Sequence, residues 1–572
     1  MREYETDVLI IGGGGAATAT AISAHDAGAR TMMAVKGRFG VPGVRGAGAT
    51  SNPLADFWTI RTVGPKGGLF NPPEAVHRDM LQTGLGMADS VLCGIFVEEV
   101  TEAIARLRGM GMRFRSKSLG TMPAEEKHGG THGIVAIQKA VIEGTNTKVV
   151  EHANITDIVV ENGRARGAVG IDDEGEPFVI RAGAVVLATG GVGQLFRYSF
   201  NPPGNTGDGY AMALRAGAAL FNMEFMQQGI ATTWPTQAIV MLYEMEEPCR
   251  LLNSDGKAFV PDYLPAGVTL EEVSTLKAYH WPVTCRDNAI HLDRAIHGEA
   301  LAGRATENNG VFLDLSHADR GFEPEVFVEF MRRNGIDIRR DLLQIQVHHH
   351  TSNGGVRINE FGESTLKGLL AIGETAGWQG ADRLGGTMLG GSQVFGWRAG
   401  KRAAEIATDN PPVRTDPAGL DRLIVEPVAR LREARGSTSV KELLPCLQDR
   451  MWRDLLVEKN AETLGAALAY VQGQRERLES DLMISEPLDY ALAIEQRNLL
   501  DVAEVIIRAA TLRTESRGSH YRSDFPDRDD ESWMTNIFVT RRDGVTKLQK
   551  KWINKGVGWV DQPGDVRIKP WG

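Results

Sequence analysis

The sequence predicts an α/β fold, because three apolar strand-like runs each break into a glycine turn, the first of them feeds straight into a small-residue helix, and amphipathic helical patterns take over after Pro411-Pro412. The first run, Asp7-Val8-Leu9-Ile10-Ile11, enters Gly12-Gly13-Gly14-Gly15 and continues with Ala17, Ala21 and Ala24 on one helical face. Gly12 permits a tight turn, Gly14 lets a pyrophosphate approach the backbone, and Ala17 keeps helix and strand close. Gly15 and Ala16 complete the entry into the helix, whose N-terminus offers free amide protons to phosphates. This order of strand, glycine turn and helix is Rossmann-like and points to a dinucleotide. The acidic residue expected about 20 positions later for ribose hydroxyls is missing. The second strand, Thr31-Met32-Met33-Ala34-Val35, ends instead in Lys36, which is placed against the same ligand.

The second run, Ala184-Val185-Val186-Leu187, ends in Ala188-Thr189-Gly190-Gly191, and two such strands bracketing one nucleotide fold suggest a flavoprotein. The third, Gly368-Leu369-Leu370-Ala371-Ile372, ends in Gly373-Glu374 and supplies a carboxylate. One long cofactor can touch all three. Between about Phe225 and Leu343 the texture changes to a segment containing Pro, Met and Trp, so the nucleotide domain is expected to carry an insertion. Beyond Pro412, Leu420 to Arg435 and Ala461 to Leu478 read as amphipathic helices of a bundle. The C-terminal stretch holds Trp533, Trp552, Trp559 and Trp571 and a basic segment from Arg541-Arg542 to Lys555, without a clear period.

Composition narrows the function classes. A chain of 572 residues with 42% hydrophobic and 24% charged residues suits a soluble globular protein of several domains. Its formal net charge of −10 argues against a nucleic-acid binder. The four cysteines, Cys93, Cys249, Cys285 and Cys446, are too scattered for a disulfide framework or a local iron-sulfur site, and favour a reducing, cytoplasmic setting. No leader and no apolar run of membrane-spanning length is read, so no direct membrane span is expected.

The motifs resemble, in order, those of the flavoproteins of succinate dehydrogenase and fumarate reductase, with L-aspartate oxidase and the alpha subunit of adenylylsulfate reductase as relatives. The resemblance rests on Gly12 to Ala17, on Ala188 to Gly191 leading to Thr206-Gly207-Asp208-Gly209, and on Met223-Glu224-Phe225. It continues with Gly373-Glu374 leading to Arg383-Leu384-Gly385-Gly386, with Val394-Phe395-Gly396, and with Glu515-Ser516-Arg517-Gly518-Ser519-His520. It implies a Rossmann-like FAD-binding domain in two parts, 1–225 and 341–410, an α+β capping domain over 226–340, a helical domain over 411–515 and a C-terminal segment, 516–572. An anionic substrate would lie between cap and flavin, and hydride would pass between them.

The resemblance also assigns roles. Arg286 falls where relatives have a proton-transferring arginine, with a cap-surface pair to Asp287 as the plainer alternative. Arg383 stands where relatives clamp a substrate carboxylate by a bidentate fork, against a pair with Asp382. His350 precedes Gly354-Gly355 as the substrate-binding histidine does. It follows His348 and His349, but neighbouring residues on a strand point to opposite faces, so no metal centre is expected. Glu374 would accept from a flavin ribityl or adenosine hydroxyl, and Asp208 would organise the loop beneath the ring. Met388 and Leu389 would begin a helix whose positive end faces flavin N1. Gln227, Gln228 and Trp234 are candidates to shape the pocket.

Three departures bear on function. The Phe-His-Pro that follows Met-Glu-Phe in dicarboxylate enzymes reads Gln228-Gly229-Ile230 here, so one substrate-binding histidine is absent. The relatives' Arg-Gly-Glu-Gly-Gly reads Met245-Glu246-Glu247-Pro248-Cys249, before Asn253-Ser254-Asp255-Gly256, and removes a relay arginine. Losing one charged hydrogen bond should weaken succinate or fumarate by about 1.5–3 kcal/mol. The segment Gly43 to Thr50 holds no histidine to tether FAD, so noncovalent FAD is expected. The resulting expectation is an FAD enzyme acting on a carbon-carbon bond beside a carboxylate, not a simple C4 dicarboxylate. Two alternatives stay open: a flavoprotein that acts on a sulfur oxyanion with a separate iron-sulfur or other electron-transfer subunit, and a relay or docking subunit without turnover.

Overall fold

The computed structural model describes residues 1–51, 60–64, 72–117, 120–123, 132–240, 250–278, 280–316 and 325–551. The N-terminal run forms the strand Arg2–Ile11, whose last four residues are no more than 4% exposed. Thr31–Ala34 and Pro177–Leu187 flank it in parallel, Lys148–Val150 pairs beyond the first, and Leu369–Ala371 pairs with the second. Antiparallel strands Arg164–Ile171 and Asn154–Glu161 complete seven strands among the described residues. Register makes the parallel ends level: Ile11 lies beside Ala34 and Leu187, Ala34 beside Val150, and Leu187 beside Ala371. All three glycine turns read from the sequence therefore leave the sheet at one edge, where ligands of such sheets bind.

Two helices pack on this sheet through small residues. Gly15–Asp26 crosses Thr387–Asp409 closely enough that a Cβ at Gly400 would lie 2.5 Å from the Thr20 carbonyl oxygen. Thr20 Oγ1 donates to the Gly396 carbonyl at 3.1 Å across the same contact. The crossing holds both helix N-termini at the sheet edge, and it is possible because neither partner has a bulky side chain there.

Met226–Trp234, Leu343–Ser352, Val311–Asp314 and Arg250–Leu252 form a separate antiparallel sheet, accompanied by helices Leu270–Ala278 and Ile290–Leu301. A register shift between Gln227 and Gln228 re-aims the strand as it enters the cap. The helical region contains Val440–Met451, Ala461–Ser480 and Leu488–Leu512. Asn460 and Thr463 cap the second of these reciprocally. The helix read as continuous from Leu420 to Arg435 is broken into Pro417–Leu420, a wide π turn over Asp421–Val425, and Glu426–Glu433. Pro427 has no amide proton for the preceding turn, which accounts for the break.

The C-terminal stretch, which showed no period, is a β-hairpin of Asn536–Arg542 and Val545–Lys551 turning on Asp543-Gly544, both left-handed at φ 50° and 75°. Its first strand pairs with Leu220–Phe221, far back in the chain. Beneath it, Arg513 bridges Glu224 at 2.8 Å and Glu515 at 2.7 Å, and Arg517 also pairs with Glu515 at 2.7 Å; all four side chains are fully buried. These pairs join the Met223-Glu224-Phe225 and Glu515-Ser516-Arg517 motifs. Trp552, Trp559 and Trp571, and the departure at Met245 to Cys249, lie outside the described residues.

Candidate cofactor and substrate site

One cavity opens at the level edge of the sheet and is lined by Gly12, Gly14, Gly15, Ala16, Ala188, Thr189, Gly190, Gly373 and Glu374. The three glycine segments thus form one wall. Gly12 adopts φ 127°, and a Cβ there would lie 2.2 Å from the Ala188 carbonyl oxygen, so the turn admits only glycine without rearrangement. Ala17 is not on the wall; it is fully buried between its helix and the sheet.

Two helix N-termini reach this cavity. Gly14 caps Gly15–Asp26 without a side-chain hydrogen bond, and no acidic residue occupies the first turn. Gly386, left-handed at φ 83°, caps Thr387–Asp409 in the same way, with Met388 and Leu389 on the cavity wall. Each end presents amide protons and partial positive charge with no acidic residue in its own first turn. A cofactor with a pyrophosphate at one place and an electron-accepting ring at another fits these two poles, which is the test FAD must meet here.

Lys36 and Asp208 are brought together. Lys36 Nζ lies 2.6 Å from Asp208 Oδ2 and 2.7 Å from Glu495 Oε1, and donates to Thr206 Oγ1 at 2.9 Å. Arg45 Nη2 reaches the same Glu495 Oε1 at 3.0 Å. Asp208 also accepts from Asn498 Nδ2 at 2.9 Å. Burial raises the Asp208 carboxyl, but Lys36 and these hydrogen bonds hold it below its ordinary value. Where the second strand ends in Lys36 in place of an acidic residue, a carboxylate still reaches the cavity wall: Glu495, from the helix Leu488–Leu512, which lines the cavity with Ala491 and Ile494. Sequence reading missed Glu495 and Arg45.

Glu374 accepts from the Ser352 amide at 2.9 Å, and its burial pushes the carboxyl up to about 7. On the same cavity wall His350 and Arg383 meet, with Arg383 Nη2 3.3 Å from His350 Nδ1. Arg383 is buried, with no ion pair within 4.0 Å among the described residues, and its Nε atom has no hydrogen-bond partner. Asp382 takes the Arg383 amide at 2.9 Å and Gln227 Nε2 at 2.7 Å, leaving the guanidinium to the cavity. Burial lowers the guanidinium to about 10. Burial, then the charge of Arg383, keeps His350 well below its usual value, so the neutral ring accepts at Nδ1 and carries its proton on Nε2.

Arg286 does not line this cavity. It is one-third exposed and lies 3.7 Å from Asp287, which also faces His280 at 3.2 Å. Of the proposed pocket-shaping residues, Gln228 donates to the Leu456 carbonyl at 2.6 Å and Trp234 is 38% exposed. The cavity indole is Trp281. His349 packs on Phe196 at 5.0 Å, whereas His348 and His350 share the Phe200 ring at 5.3 and 5.8 Å and also pack on Tyr198 at 5.2 Å and Trp281 at 4.9 Å respectively.

Burial depresses three of the surrounding histidines: His297 and His348 to about 4, and His349 to about 3. The unfolded chain binds their protons first, so stability rises with pH across this interval. It is fully present above the unfolded value of about 6.5 and falls as pH drops toward 4 and then 3, by about 1.4 kcal/mol per pH unit for each histidine. Thermal unfolding from pH 7 to pH 4 should show a steadily falling Tm; a flat profile would contradict neutral burial.

The FAD binding domain family matches residues 7–389, and the family described as fumarate reductase flavoprotein C-term matches residues 445–561. A fumarate reductase (CoM/CoB) polypeptide of Methanothermobacter marburgensis is 31% identical, over 94% of this chain and 98% of its own. L-aspartate oxidase of Streptomyces coelicolor is 29% identical over 93% and 91%. The structure of Mycobacterium smegmatis Sdh1 in complex with UQ1 superposes with a TM-score of 0.81 at 26% identity, covering 96% of this chain and 95% of that one. Among the described residues, no helix is long and apolar enough to cross a membrane.

Proposed function

This chain belongs to the FAD-binding flavoprotein family of fumarate reductase and succinate dehydrogenase, and on that premise we propose that it oxidises or reduces a carbon-carbon bond next to a carboxylate. Arg383 is the observation that carries the reading. A buried guanidinium is costly unless an anion contacts it; this one has no carboxylate within 4.0 Å among the described residues and sits beside His350 on the wall of the FAD cavity, where a ligand would supply that anion.

Bound FAD supplies the hydride acceptor or donor. Arg383 holds the carboxylate by its fork, and His350 Nε2–H donates to the same anion. In the reducing direction the carbon next to the carboxylate gains a proton as its neighbour gains hydride. Arg286 is assigned as that proton's source, which requires its side chain to leave Asp287 and turn inward. An electron-transfer partner, iron-sulfur or other, completes the redox circuit. The substrate is not a simple C4 dicarboxylate, since position 229 carries no side chain where dicarboxylate relatives are read to have a histidine.

The test is anaerobic. Photoreduced holoenzyme mixed with unsaturated monocarboxylic acids should regain the yellow oxidised spectrum with formation of the saturated acid. Failure with every such acid would overturn the reading. Arg286→Ala should keep FAD while losing this reoxidation, and retained turnover would exclude Arg286 as the proton carrier. The absence of histidine from Gly43 to Thr50, where Gly46, Gly48, Ala49 and Thr50 line the cavity, supports noncovalent FAD. Acid precipitation should leave the yellow colour in the supernatant; flavin retained in the pellet would show a tether.

A further inference from the structure

The substrate end of the cavity has a charged pole and an apolar one. Arg383 and His350 make the first. Trp281 makes the second: its ring lies 4.9 Å from that of His350 at 80° and 5.6 Å from that of Phe200. Its Nε1–H donates to the Ile230 carbonyl at 3.3 Å, which fixes the indole against the strand. The ring lies directly on Gly229. A Cβ at position 229 would come within 2.1 Å of Trp281 Cζ2, so the indole fills the room a side chain there would need. Phe200, Ala231, Ile239 and Trp281 pack as one apolar cluster, of which Ile239 and Trp281 line the cavity.

Charge reinforces this division. Among the described residues lining the cavity, the permanent cations are Lys36 and Arg383, and Lys36 is neutralised by Asp208 and Glu495. Among the described residues lining the cavity, the group a substrate held at Arg383 would meet at Trp281 is indole, and Arg286, once turned inward, serves the carbon beside the first carboxylate. A second carboxylate there would lose its water without gaining a partner, whereas an aromatic ring would find edge and face contacts.

Resting on the reading that Arg383 binds a carboxylate, we propose that Trp281 sets specificity, selecting a monocarboxylic acid whose far end is an aryl group and rejecting a second carboxylate. The experiment compares trans-cinnamate with fumarate as ligands of the oxidised FAD-loaded protein, with Kd read from perturbation of the flavin spectrum. Cinnamate is expected to bind at least tenfold tighter. Trp281→Gln is expected to lower that ratio at least tenfold, and Trp281→Phe to keep it, with FAD bound in both. Fumarate binding as tightly as cinnamate, or an unchanged ratio in Trp281→Gln, would overturn the inference while leaving the Arg383 reading intact. Absence of any perturbation by either acid would overturn both. The wild-type ratio decides even if Trp281→Gln does not fold.

Discussion

Arg383→Gln is expected to abolish useful turnover while leaving the protein yellow and folded. Removing one partner of a buried charge-assisted contact costs about 2–5 kcal/mol, or roughly 30- to 5,000-fold in kcat/KM. The direction of the stability change separates this role from a structural one. With no ion pair within 4.0 Å among the described residues, the guanidinium is held at a desolvation cost, so the neutral amide should leave Tm unchanged or raise it. A structural arginine would lower Tm on removal. Arg383→Lys should recover little, because an ammonium lacks the planar fork. Steady-state kinetics with the acid identified by reoxidation, together with a melting curve, checks both halves; near-normal kcat/KM in Arg383→Gln would refute the assignment.

Gly12→Ala is expected to yield colourless protein. Its φ of 127° is strained for any residue with a side chain, and the added Cβ would press on the Ala188 carbonyl, a backbone atom that cannot swing away. Backbone strain of this kind costs about 1–3 kcal/mol before the clash is counted. Relief would come from parting the ends of Arg2–Ile11 and Pro177–Leu187, which hold the turns that form the FAD wall. The ratio of flavin to protein absorbance after purification and after incubation with FAD is the measurement. Stoichiometric yellow protein would show that this turn is not the cofactor's.

Much of the FAD wall was legible because it is local. Val8 to Ala17 spells strand, turn and helix within a few residues, and Leu369 to Glu374 repeats the pattern, so hydrophobic runs and glycines suffice to find both. Glu495 was invisible because it meets Lys36 from 459 positions away, and an ion pair between distant segments leaves no periodic trace. The aromatic of the cavity was misplaced for a related reason. Trp234 and Trp281 look equivalent in sequence, yet the first projects from the end of a strand while the second folds back onto Gly229. The shift between Gln227 and Gln228 re-aims that strand, and alternation cannot anticipate it.

Two other signals were present in the sequence. Asp543-Gly544 is a strong hairpin turn, but its flanking strands carry Arg541, Arg542, Lys547, Lys550 and Lys551 in place of alternating apolar residues. Pro427 likewise marks the break in the helix read from Leu420 to Arg435.

The pairing of Asn536–Arg542 with Leu220–Phe221 sets an order of events during synthesis. A ribosome delivers the first partner long before the second, so the segment through Phe225 emerges with one strand edge open and Glu224 still without Arg513. The segment before residue 220 can collapse early, but this sheet closes only when Asn536–Arg542 has been released. Nascent chains stalled before residue 536 should therefore stay protease-sensitive around Leu220, and the vitamin-derived group should be captured durably only after residues 536–542 have emerged.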